Sequence, residues 1–376
     1  MPLNRPFRLS FSGFIILMAL AIASALPAPV LAQAPPLIIA SGLDNPRGLA
    51  FGPDGALYVV EAGRGGNSSL CLPEAGAPPT TPPRCYGPTG AVTRISGVGV
   101  QERVVTGLPS LAGPSGQATG PHDIQFDSGN AFITIGFGGN PSARAPFVAA
   151  GIGLGTLVKV LPNGQWSYVL DLSIYEATAN PDGGAIDTNP YGLLVRPDRG
   201  VFTDAGANAL LKIDPNGTIS TLAVFPDRTV LGSAGTLVPM QAVPTSVTLA
   251  PDGNYYVGEL TGFPFPVGAA QVYRVPPQGG TPVVAATGFT NIIDVAVDAN
   301  GVGYVIEHDA DGLNGAVGPG QTGRLIRVTR DGTRTVLSNT LIRPGGVALG
   351  PDGAIYVSNR SISVGSGEVV RFAPVP

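Results

Sequence analysis

The chain has 376 residues, of which 54 are Gly and 38 are Pro, while 44% are hydrophobic and only 12% are charged. The high apolar and low charged fractions exclude an intrinsically disordered chain, because such chains carry much charge and too little apolar surface to bury. The frequent Gly and Pro exclude helical bundles and coiled coils, which need long uninterrupted helices. The formal net charge of −4 and the lack of any basic run exclude a phosphate-tracking surface, so we expect no nucleic-acid partner.

The N-terminus predicts a secretory signal peptide over residues 1–32. Arg5 and Arg8 supply its basic start, residues 14–26 are apolar, and residues 30–32 fit a cleavage site. The apolar run is shorter than the roughly 20 residues of a membrane span, although an uncleaved N-terminal anchor is the alternative. We therefore expect an exported protein, periplasmic or extracellular, with no transmembrane span in the mature chain.

The two cysteines, Cys71 and Cys85, lie close together in a Pro-rich stretch. In an exported protein such a pair predicts one disulfide that closes a surface loop. Two free thiols, or half of a metal site, are the alternatives. The sequence has no His near the pair, which disfavours the metal site.

One unit recurs along the sequence: a Pro or its equivalent, a short apolar run, a Pro-Asp-Gly-type turn and a strand that contains an aromatic residue. The first copy reads PRGLAFGPDGALYVV, and the copies begin at positions 46, 121, 190, 244, 292 and 344. Each continues with further strands, several of them joined by Asn-Gly or Asp-Gly, the strongest short signal for a β-hairpin. Six repeats of four antiparallel strands predict an all-β fold, a six-bladed β-propeller.

The last repeat ends after its third strand, so its outer strand must come from another part of the chain. Residues 37–43 (LIIASGL) resemble the fourth strands of other copies, and we expect them to complete the last blade. This closure removes a free sheet edge that would otherwise invite aggregation. We therefore predict one propeller domain over residues 33–376, and a monomeric protein.

Short and long connections are predicted on opposite faces of the propeller, because the strands of a blade alternate in direction. The short turns, such as Asp54-Gly55 and Asp252-Gly253, define what we call the tight-turn face. The opposite long-loop face collects the insertions 62–89, 136–154, 173–189, 226–243, 260–269, 308–322 and 360–366. Loops on a rigid scaffold often carry function, so we expect the functional site on the long-loop face, around the central channel.

The candidate site consists of polar and aromatic residues at the starts of first strands, at the ends of second strands and in one long loop. The predicted catalytic residues are His122, Asp123, Glu259 and Glu307. The predicted substrate-binding residues are Arg47, Tyr191, Phe263, Phe265 and His308. The predicted metal ligands are Glu61, Asp204 and Asp294.

The chemistry of these side chains leaves more than one role open. A His next to an Asp, as at 122 and 123, suits a general base or a transition-metal ligand. Carboxylates around a channel mouth suit a divalent cation such as calcium. The alternative is a network whose members only hydrogen-bond one another and channel water.

Several stretches resemble the ScyD/ScyE family. They are LDNPRGLAFGPDG (43–55), CYGPTG (85–90), GPHDI (120–124), NPYGLL (189–194), GELTGFPFP (258–266) and GFTNIID (288–294). The resemblance covers nearly the whole mature chain and implies an exported, NHL-like propeller. It also implies a role in biosynthesis of scytonemin, an indole–phenol sunscreen pigment, at a late step that couples or oxidises precursor units outside the cytoplasm.

Three functions are compatible with the sequence. The first is binding of an aromatic small molecule on the long-loop face, as part of a scytonemin-type pathway. The family resemblance favours it, and so does a predicted aromatic rim of Phe137, Phe147, Tyr191, Phe263 and Phe265. The second is a calcium-dependent lactonase or ester hydrolase, by analogy with gluconolactonase-like six-bladed propellers. The third is a non-catalytic binding or scaffold propeller, since one fold hosts many functions.

Overall fold

A computed structural model describes residues 35–73, 80–232, 235–313 and 322–375. The predicted signal peptide (1–32) lies outside the described residues. Pro35–Pro376 forms one structural unit. Within the described ranges, no helix is long and apolar enough to cross a bilayer.

The described chain is built of six antiparallel blades, each with a core of four strands, as the repeat predicts. The N-terminal strand is β1 (Leu37–Leu43). Blade 1 contains β2 (Pro46–Phe51), β3 (Leu57–Glu61), the short β4 (Cys71–Leu72), β5 (Arg84–Gly97), β6 (Val100–Ala112) and the short β7 (Ala118–Thr119). Blade 2 contains β8 (Pro121–Asp127), β9 (Asn130–Ile135), β10 (Thr156–Val160) and β11 (Trp166–Asp171). Blade 3 contains β12 (Pro190–Arg196), β13 (Arg199–Asp204), β14 (Ala209–Ile213) and β15 (Ile219–Val224).

A separate hairpin lies between blades 3 and 4 in the chain. Its strands are β16 (Arg228–Leu231) and β17 (Leu237–Met240). Blade 4 contains β18 (Pro244–Leu249), β19 (Tyr255–Glu259), β20 (Ala270–Val275) and β21 (Val283–Phe289). Blade 5 contains β22 (Ile292–Val297), β23 (Gly303–Glu307), β24 (Thr322–Val328) and β25 (Arg334–Ile342). Blade 6 contains β26 (Gly346–Leu349), β27 (Ile355–Asn359) and β28 (Gly367–Phe372).

The N-terminal strand completes blade 6. Strand β1 pairs antiparallel with β28, from Leu37 opposite Arg371 to Leu43 opposite Gly367. The first and last parts of the propeller are thus joined in one sheet, with the order β1-β28-β27-β26. The predicted closure of the last blade is confirmed.

The Pro-Asp-Gly segments form the tight turns between first and second strands. In blade 4, Gly253 adopts a positive φ of +81° and its amide donates to the carbonyl of Ala250 at 2.9 Å. The carboxylate of Asp252 accepts the amide of Asn254 at 3.0 Å, which fixes the turn from the side chain. Such turns need a residue that tolerates positive φ, and Gly does so without steric strain. The repeated Asp and Gly are therefore explained by the fold.

The apolar core is distributed over six wedges, each between two consecutive blades. The wedge between blades 3 and 4, for example, packs Val201 and Phe225 against Val247 and Val257. Equivalent clusters fill the other five spaces. Each blade therefore buries apolar side chains on both of its faces.

The long insertions carry the additional elements. Residues 136–154 contain a 3-10 helix (Pro141–Arg144) and α1 (Ala145–Ala149), and residues 173–189 contain α2 (Ser173–Ala179). The predicted disulfide between Cys71 and Cys85 is present and joins β4 to β5 in the 62–89 insertion. The strand order places all of these on one face, as the repeat analysis predicts.

Candidate functional site

The polar residues at the ends of second strands hold their own blades together. In four blades the side chain accepts a backbone amide from just before the first strand of the same blade. The pairs are Glu61 with Asp44 (2.7 Å), Asp204 with Asn189 (2.7 Å), Glu307 with Thr290 (2.8 Å) and Asn359 with Ile342 (2.7 Å). Each contact satisfies an amide that would otherwise be buried without a partner.

Glu61 and Asp204, both predicted as metal ligands, are fully buried and occupied by further donors. Glu61 also accepts from Thr93 at 2.6 Å and from the guanidinium of Arg103 at 2.5 Å. Asp204 accepts from Thr188 at 2.6 Å, and burial raises its pKa to about 6. These two carboxylates lie in different blades with separate sets of partners. Their contacts are those of structural residues.

Glu259, predicted as catalytic, departs from this pattern. It pairs with Arg228 of the β16–β17 hairpin, whose other terminal nitrogen donates to the carbonyl of Ala269 at 2.9 Å. The second carboxylate oxygen, Oε2, has no hydrogen-bond partner among the described residues. Burial raises the pKa of Glu259 to about 7, despite the nearby positive charge of Arg228. In Glu307, the equivalent predicted catalytic residue of blade 5, burial likewise raises the pKa, and Arg324 approaches at 3.5 Å.

Asp123 and Asp294 come from opposite blades, 2 and 5, and border the same small cavity at the centre of the propeller, together with Gly48 and Gly192. In each, Oδ1 accepts the amide of the next residue at 2.8 Å. Oδ2 accepts an amide from the first strand of the next blade, Leu193 for Asp123 and Val347 for Asp294, also at 2.8 Å. The two side chains therefore join neighbouring blades at the axis.

The two channel aspartates influence each other's ionisation. Burial, and then the charge of Asp294, raises the pKa of Asp123 well above its usual value. Burial raises the pKa of Asp294 to about 6. Two carboxyl groups in one confined space cannot both ionise easily, so one of them retains its proton most strongly.

Glycines in other blades make room for the side chains of these two aspartates. When the repeats are aligned by their first strands, Asp123 and Asp294 occupy the same position as Gly48, Gly192 and Gly346 of blades 1, 3 and 6. A Cβ atom on Gly48 would lie 2.2 Å from Oδ1 of Asp123. Both aspartates border a cavity of about 250 Å³ towards the tight-turn face, together with Gln125 and Thr248. Sequence reasoning missed this cavity, although alignment of the repeats by their first strands places the two Asp three blades apart.

The two histidines make equivalent hydrogen bonds in opposite blades. Nδ1 of His122 lies 3.0 Å from the carbonyl of Pro190, and Nδ1 of His308 lies 2.8 Å from that of Pro344. Each carbonyl begins the next blade and can only accept, so Nδ1 carries the proton and Nε2 is left as an acceptor. Burial lowers the pKa of both histidines to about 3, and the charge of Arg47 adds to the effect. Both rings are therefore neutral and only weakly basic.

Arg47 brings a positive charge to the same end of the channel. Only 5% of the residue is exposed. Its guanidinium donates to the carbonyl of Ala118 at 3.0 Å and to the hydroxyl of Ser361 at 3.3 Å. Among the described residues, Nε of Arg47 has no acceptor and no carboxylate forms an ion pair with it. Tyr191 lies beside this group, with its ring 4.3 Å from the ring of His122.

Phe263 is the exposed aromatic residue of the predicted rim. It is 63% exposed, and its ring lies 6.4 Å from that of the half-buried Phe265 in an edge-to-face arrangement. Phe137 and Phe147, which were also expected at the rim, are 0% and 1% exposed and belong to the apolar wedge between blades 1 and 2. That part of the rim prediction is wrong, because the 136–154 insertion folds back onto the core.

The loop that carries Phe263 is held firmly to its surroundings. The amides of Leu260, Thr261 and Gly262 donate to carbonyls of residues 243, 242 and 241 at 2.8–3.0 Å. The side chain of Asn291, from the start of blade 5, donates to the carbonyl of Leu260 at 2.7 Å. The aromatic side chain is thus exposed on an ordered backbone.

The described residues contain no group of three or more His, Cys, Asp or Glu side chains arranged to hold a metal ion. The predicted ligands Glu61, Asp204 and Asp294 come from blades 1, 3 and 5 and satisfy separate backbone amides. Asp294 approaches Asp123, but this gives a pair of carboxyl groups. The calcium site expected at the channel mouth thus has no converging ligand set in this part of the chain.

Comparisons with known proteins agree on the fold. No protein-family model matches the chain, and no curated protein matches it. Among solved structures, a protein of unknown function from Bacteroides thetaiotaomicron is similar over 90% of this chain and 72% of its own, with 11% identity and a TM-score of 0.53. Virginiamycin B lyase from Staphylococcus aureus is similar over 91% of this chain and 99% of its own, with 13% identity and a TM-score of 0.44. A candidate gluconolactonase is similar over 90% of this chain and 93% of its own, with 13% identity and a TM-score of 0.45. At these identities the similarity shows the fold alone, a β-propeller.

Proposed function

We propose that this chain is an exported propeller that binds a planar aromatic small molecule on its long-loop face. The observation that carries the proposal is Phe263, a large aromatic side chain that is 63% exposed on a firmly held loop. An exposed aromatic ring on an ordered backbone contributes much contact area at a low cost in conformational entropy when a ligand covers it.

The groups nearer the axis supply polar complements for such a ligand. Tyr191 and Leu260, the residue at the start of the Phe263 loop, pack against the same apolar cluster. Arg47 contributes a buried cation, and the stacked ring of His122 is neutral with an accepting Nε2. A guanidinium and an uncharged imidazole suit a ligand that carries phenol, carbonyl or carboxylate groups beside its aromatic rings.

The environment of the histidines favours binding over acid–base catalysis. A general base works best when its pKa lies near the working pH. With a pKa of about 3, His122 and His308 are poor proton acceptors at neutral pH. We therefore assign them to ligand positioning in this proposal, and a catalytic role for Asp123, Glu259 or Glu307 is a separate hypothesis.

The resemblance to the ScyD/ScyE family identifies the first ligand class to test, the indole–phenol units of scytonemin-type pigments. An indole–phenol combines two aromatic ring systems with an indole N–H and a phenol hydroxyl, which suit the accepting imidazole and the guanidinium described above. In this proposal the protein acts after export, at a coupling or oxidation step, by holding one precursor unit.

The test is calorimetric titration of the purified mature protein with an indole–phenol. We expect saturable binding that weakens about tenfold in Phe263→Ala, since ring contacts contribute about 0.5–1.5 kcal/mol beyond the buried area. Val283→Ala is the matched control, because Val283 is 50% exposed in the same blade but lies in the outer strand. Failure to bind, or equal binding by wild type and Phe263→Ala, would reject the proposal. Turnover of the bound indole–phenol would identify an enzyme.

A further inference from the structure

The insertion that leads into blade 3 contains an unusual number of buried acceptor oxygens without donors. Within the described chain, Oε2 of Glu176, Oδ1 of Asn180 and Oδ1 of Asp187 have no hydrogen-bond partner. Glu176, in α2, is 0% exposed. Leaving a buried acceptor without a partner is unfavourable. Three of them in one short segment point to a group that brings positive charge.

The charge of the segment supports the same conclusion. Residues 173–189 include three acidic residues and neither Lys nor Arg. The charges of Asp204, Asp182 and Asp187 all act on the carboxylate of Glu176. Arg84 of blade 1 brings an opposing positive charge to Asp187. Several carboxylates are thus held together against their mutual repulsion.

Hydrogen bonds bring the three residues with free oxygens into one loop. The amide of Asp187 donates to Oε1 of Glu176 at 3.3 Å, which leaves Oε2 as the free oxygen. The amide of Asn180 donates to the carbonyl of Glu176 at 3.1 Å. The side-chain nitrogen of Asn180 donates to the carbonyl of Gly184 at 3.0 Å, which leaves its Oδ1 as an acceptor.

We propose that this loop binds a calcium ion through Glu176, Asn180 and Asp187. Carboxylate and amide oxygens are hard ligands, and calcium accepts six to eight of them in irregular geometry, including backbone carbonyls and water. Magnesium requires a stricter octahedron, and the segment has no His or Cys for a transition metal.

Asp182 and Asp204 contribute charge to this site from its edge. Both oxygens of Asp182 are already occupied, by the amide of Gly184 and the side chain of Asn208, each at 2.8 Å. Asp204 is likewise occupied by Thr188 and backbone amides. No three acidic side chains of the described chain converge in the manner of a preformed metal centre. The ion therefore draws the carboxylates of Glu176 and Asp187 towards the amide oxygen of Asn180.

The position of the loop gives the ion a structural consequence. Thr188, directly after Asp187, pairs with Gly139 of the neighbouring insertion and donates to the buried Asp204. Blade 3 begins two residues later at Pro190, followed by Tyr191. A bound ion thus fixes the segment that positions Tyr191 on the long-loop face. The site does not depend on the aromatic-ligand proposal, and either can fail alone.

The experiment uses the purified mature protein after treatment with a chelator. Calorimetric titration with calcium chloride should show one binding site, with affinity for magnesium at least about tenfold weaker. Thermal unfolding should shift upward by several degrees when calcium is added, since a ligand that binds only the folded state stabilises it. In Glu176→Gln and Asp187→Asn, calcium affinity should fall at least about tenfold and the thermal shift should disappear. Asp198→Asn, at an exposed aspartate in the tight turn of blade 3, should behave as wild type.

A separate measurement guards against variants that simply fail to fold. Without calcium, Glu176→Gln should unfold at a temperature equal to or above that of the chelator-treated wild type, because it removes a buried charge. Lack of calcium binding by the wild type would overturn the proposal. Calcium binding that survives in both Glu176→Gln and Asp187→Asn would also overturn it, since the ion would then be bound elsewhere.

Discussion

Asp54 on the tight-turn face and Asp204 on the long-loop face are the same residue type in opposite environments. Asp54 is exposed; desolvation is the largest single influence on its pKa and raises it, but hydrogen bonds from Arg94, the Ala56 amide and Tyr58 together outweigh it and lower the pKa. Asp204 is fully buried, and its pKa is raised to about 6 even though it accepts several hydrogen bonds. The surroundings of Asp54 in the turn thus stabilise its ionised form, whereas burial of Asp204 at a strand end destabilises its ionised form.

The same contrast extends to unsatisfied polar atoms. Among the described residues, the buried side-chain atoms without partners include Arg47, Glu176, Asn180 and Glu259 from the long-loop side. The tight turns satisfy their own donors and acceptors locally, as in blade 4. A buried polar atom without a hydrogen-bond partner destabilises the folded state. Such atoms are therefore expected where a ligand, an ion or a bound proton supplies the missing partner. This contrast in unsatisfied polar atoms is the reason that we propose the functional site on the long-loop face.

Among the residues of the candidate site, the largest effect on stability is expected from Glu61→Ala. The substitution leaves the amide of Asp44, the hydroxyl of Thr93 and the guanidinium of Arg103 without their shared acceptor. A buried donor left without its acceptor costs about 1–3 kcal/mol, so we expect the loss of the two neutral contacts to destabilise by about 3 kcal/mol. The ion pair adds little, because the side chain of Arg103 is 41% exposed and also contacts Asp44. Urea unfolding measures the change. The exposed Glu102→Ala serves as control, and a similar loss in both variants would contradict the structural role of Glu61.

The next largest effect is expected in the pH dependence of the free energy of unfolding, to which Glu259 contributes. Its folded pKa of about 7 lies above the usual 4.5, so the folded state binds the proton more tightly than the unfolded state. The resulting contribution of Glu259 to the free energy of unfolding is fully present below pH 4.5 and is lost as the pH rises through 7. Glu259→Gln cannot titrate, so its stability relative to wild type should increase by about 2 kcal/mol between pH 5.5 and pH 8.

Comparison of the variant with wild type at each pH removes the contribution of the histidines. Their lowered pKa acts in the opposite direction, because the unfolded state binds those protons more tightly and stability falls as the pH drops below 6.5. Glu102→Gln is again the matched control. A difference between Glu259→Gln and wild type that stays constant with pH would show that Glu259 titrates normally.

Much of the fold could be predicted because its signals are local. In blades 1, 4 and 6, Pro-Asp-Gly turns fix the first hairpin through residues two to four positions apart, as with Gly253 and Ala250. The contacts of the candidate site depend instead on residues distant in the chain. Arg103, which pairs with Glu61, comes from the outer strand of blade 1, and Arg228, which pairs with Glu259, comes from a separate hairpin. A carboxylate at a strand end has the same sequence signature whether it closes a blade or binds a ligand.

A smaller effect is expected from Gly253→Ala on the tight-turn face. The added Cβ would meet nothing within 4 Å, so the destabilisation arises from the positive φ of +81° alone. An L-residue in this conformation costs about 1 kcal/mol. Gly97→Ala is the control, since its Cβ would be 3.8 Å from Val100 in ordinary contact without a positive φ. Equal urea midpoints for the two variants would show that the turn tolerates strain, and would weaken the structural explanation of these glycines.

The smallest effect on stability is expected from Phe263→Ala, although the side chain is the same size as the buried phenylalanines of the core. Because Phe263 is 63% exposed, its truncation removes little buried area and should change the free energy of unfolding by less than about 0.5 kcal/mol. Phe289→Ala in the same blade is the contrast, since Phe289 is 0% exposed and such truncations cost about 3–5 kcal/mol. Urea unfolding of the two variants separates an aromatic residue kept for packing from one kept at the surface. A large loss of stability in Phe263→Ala would assign that ring to the fold, and the long-loop face would then lose the feature that most distinguishes it from the tight-turn face.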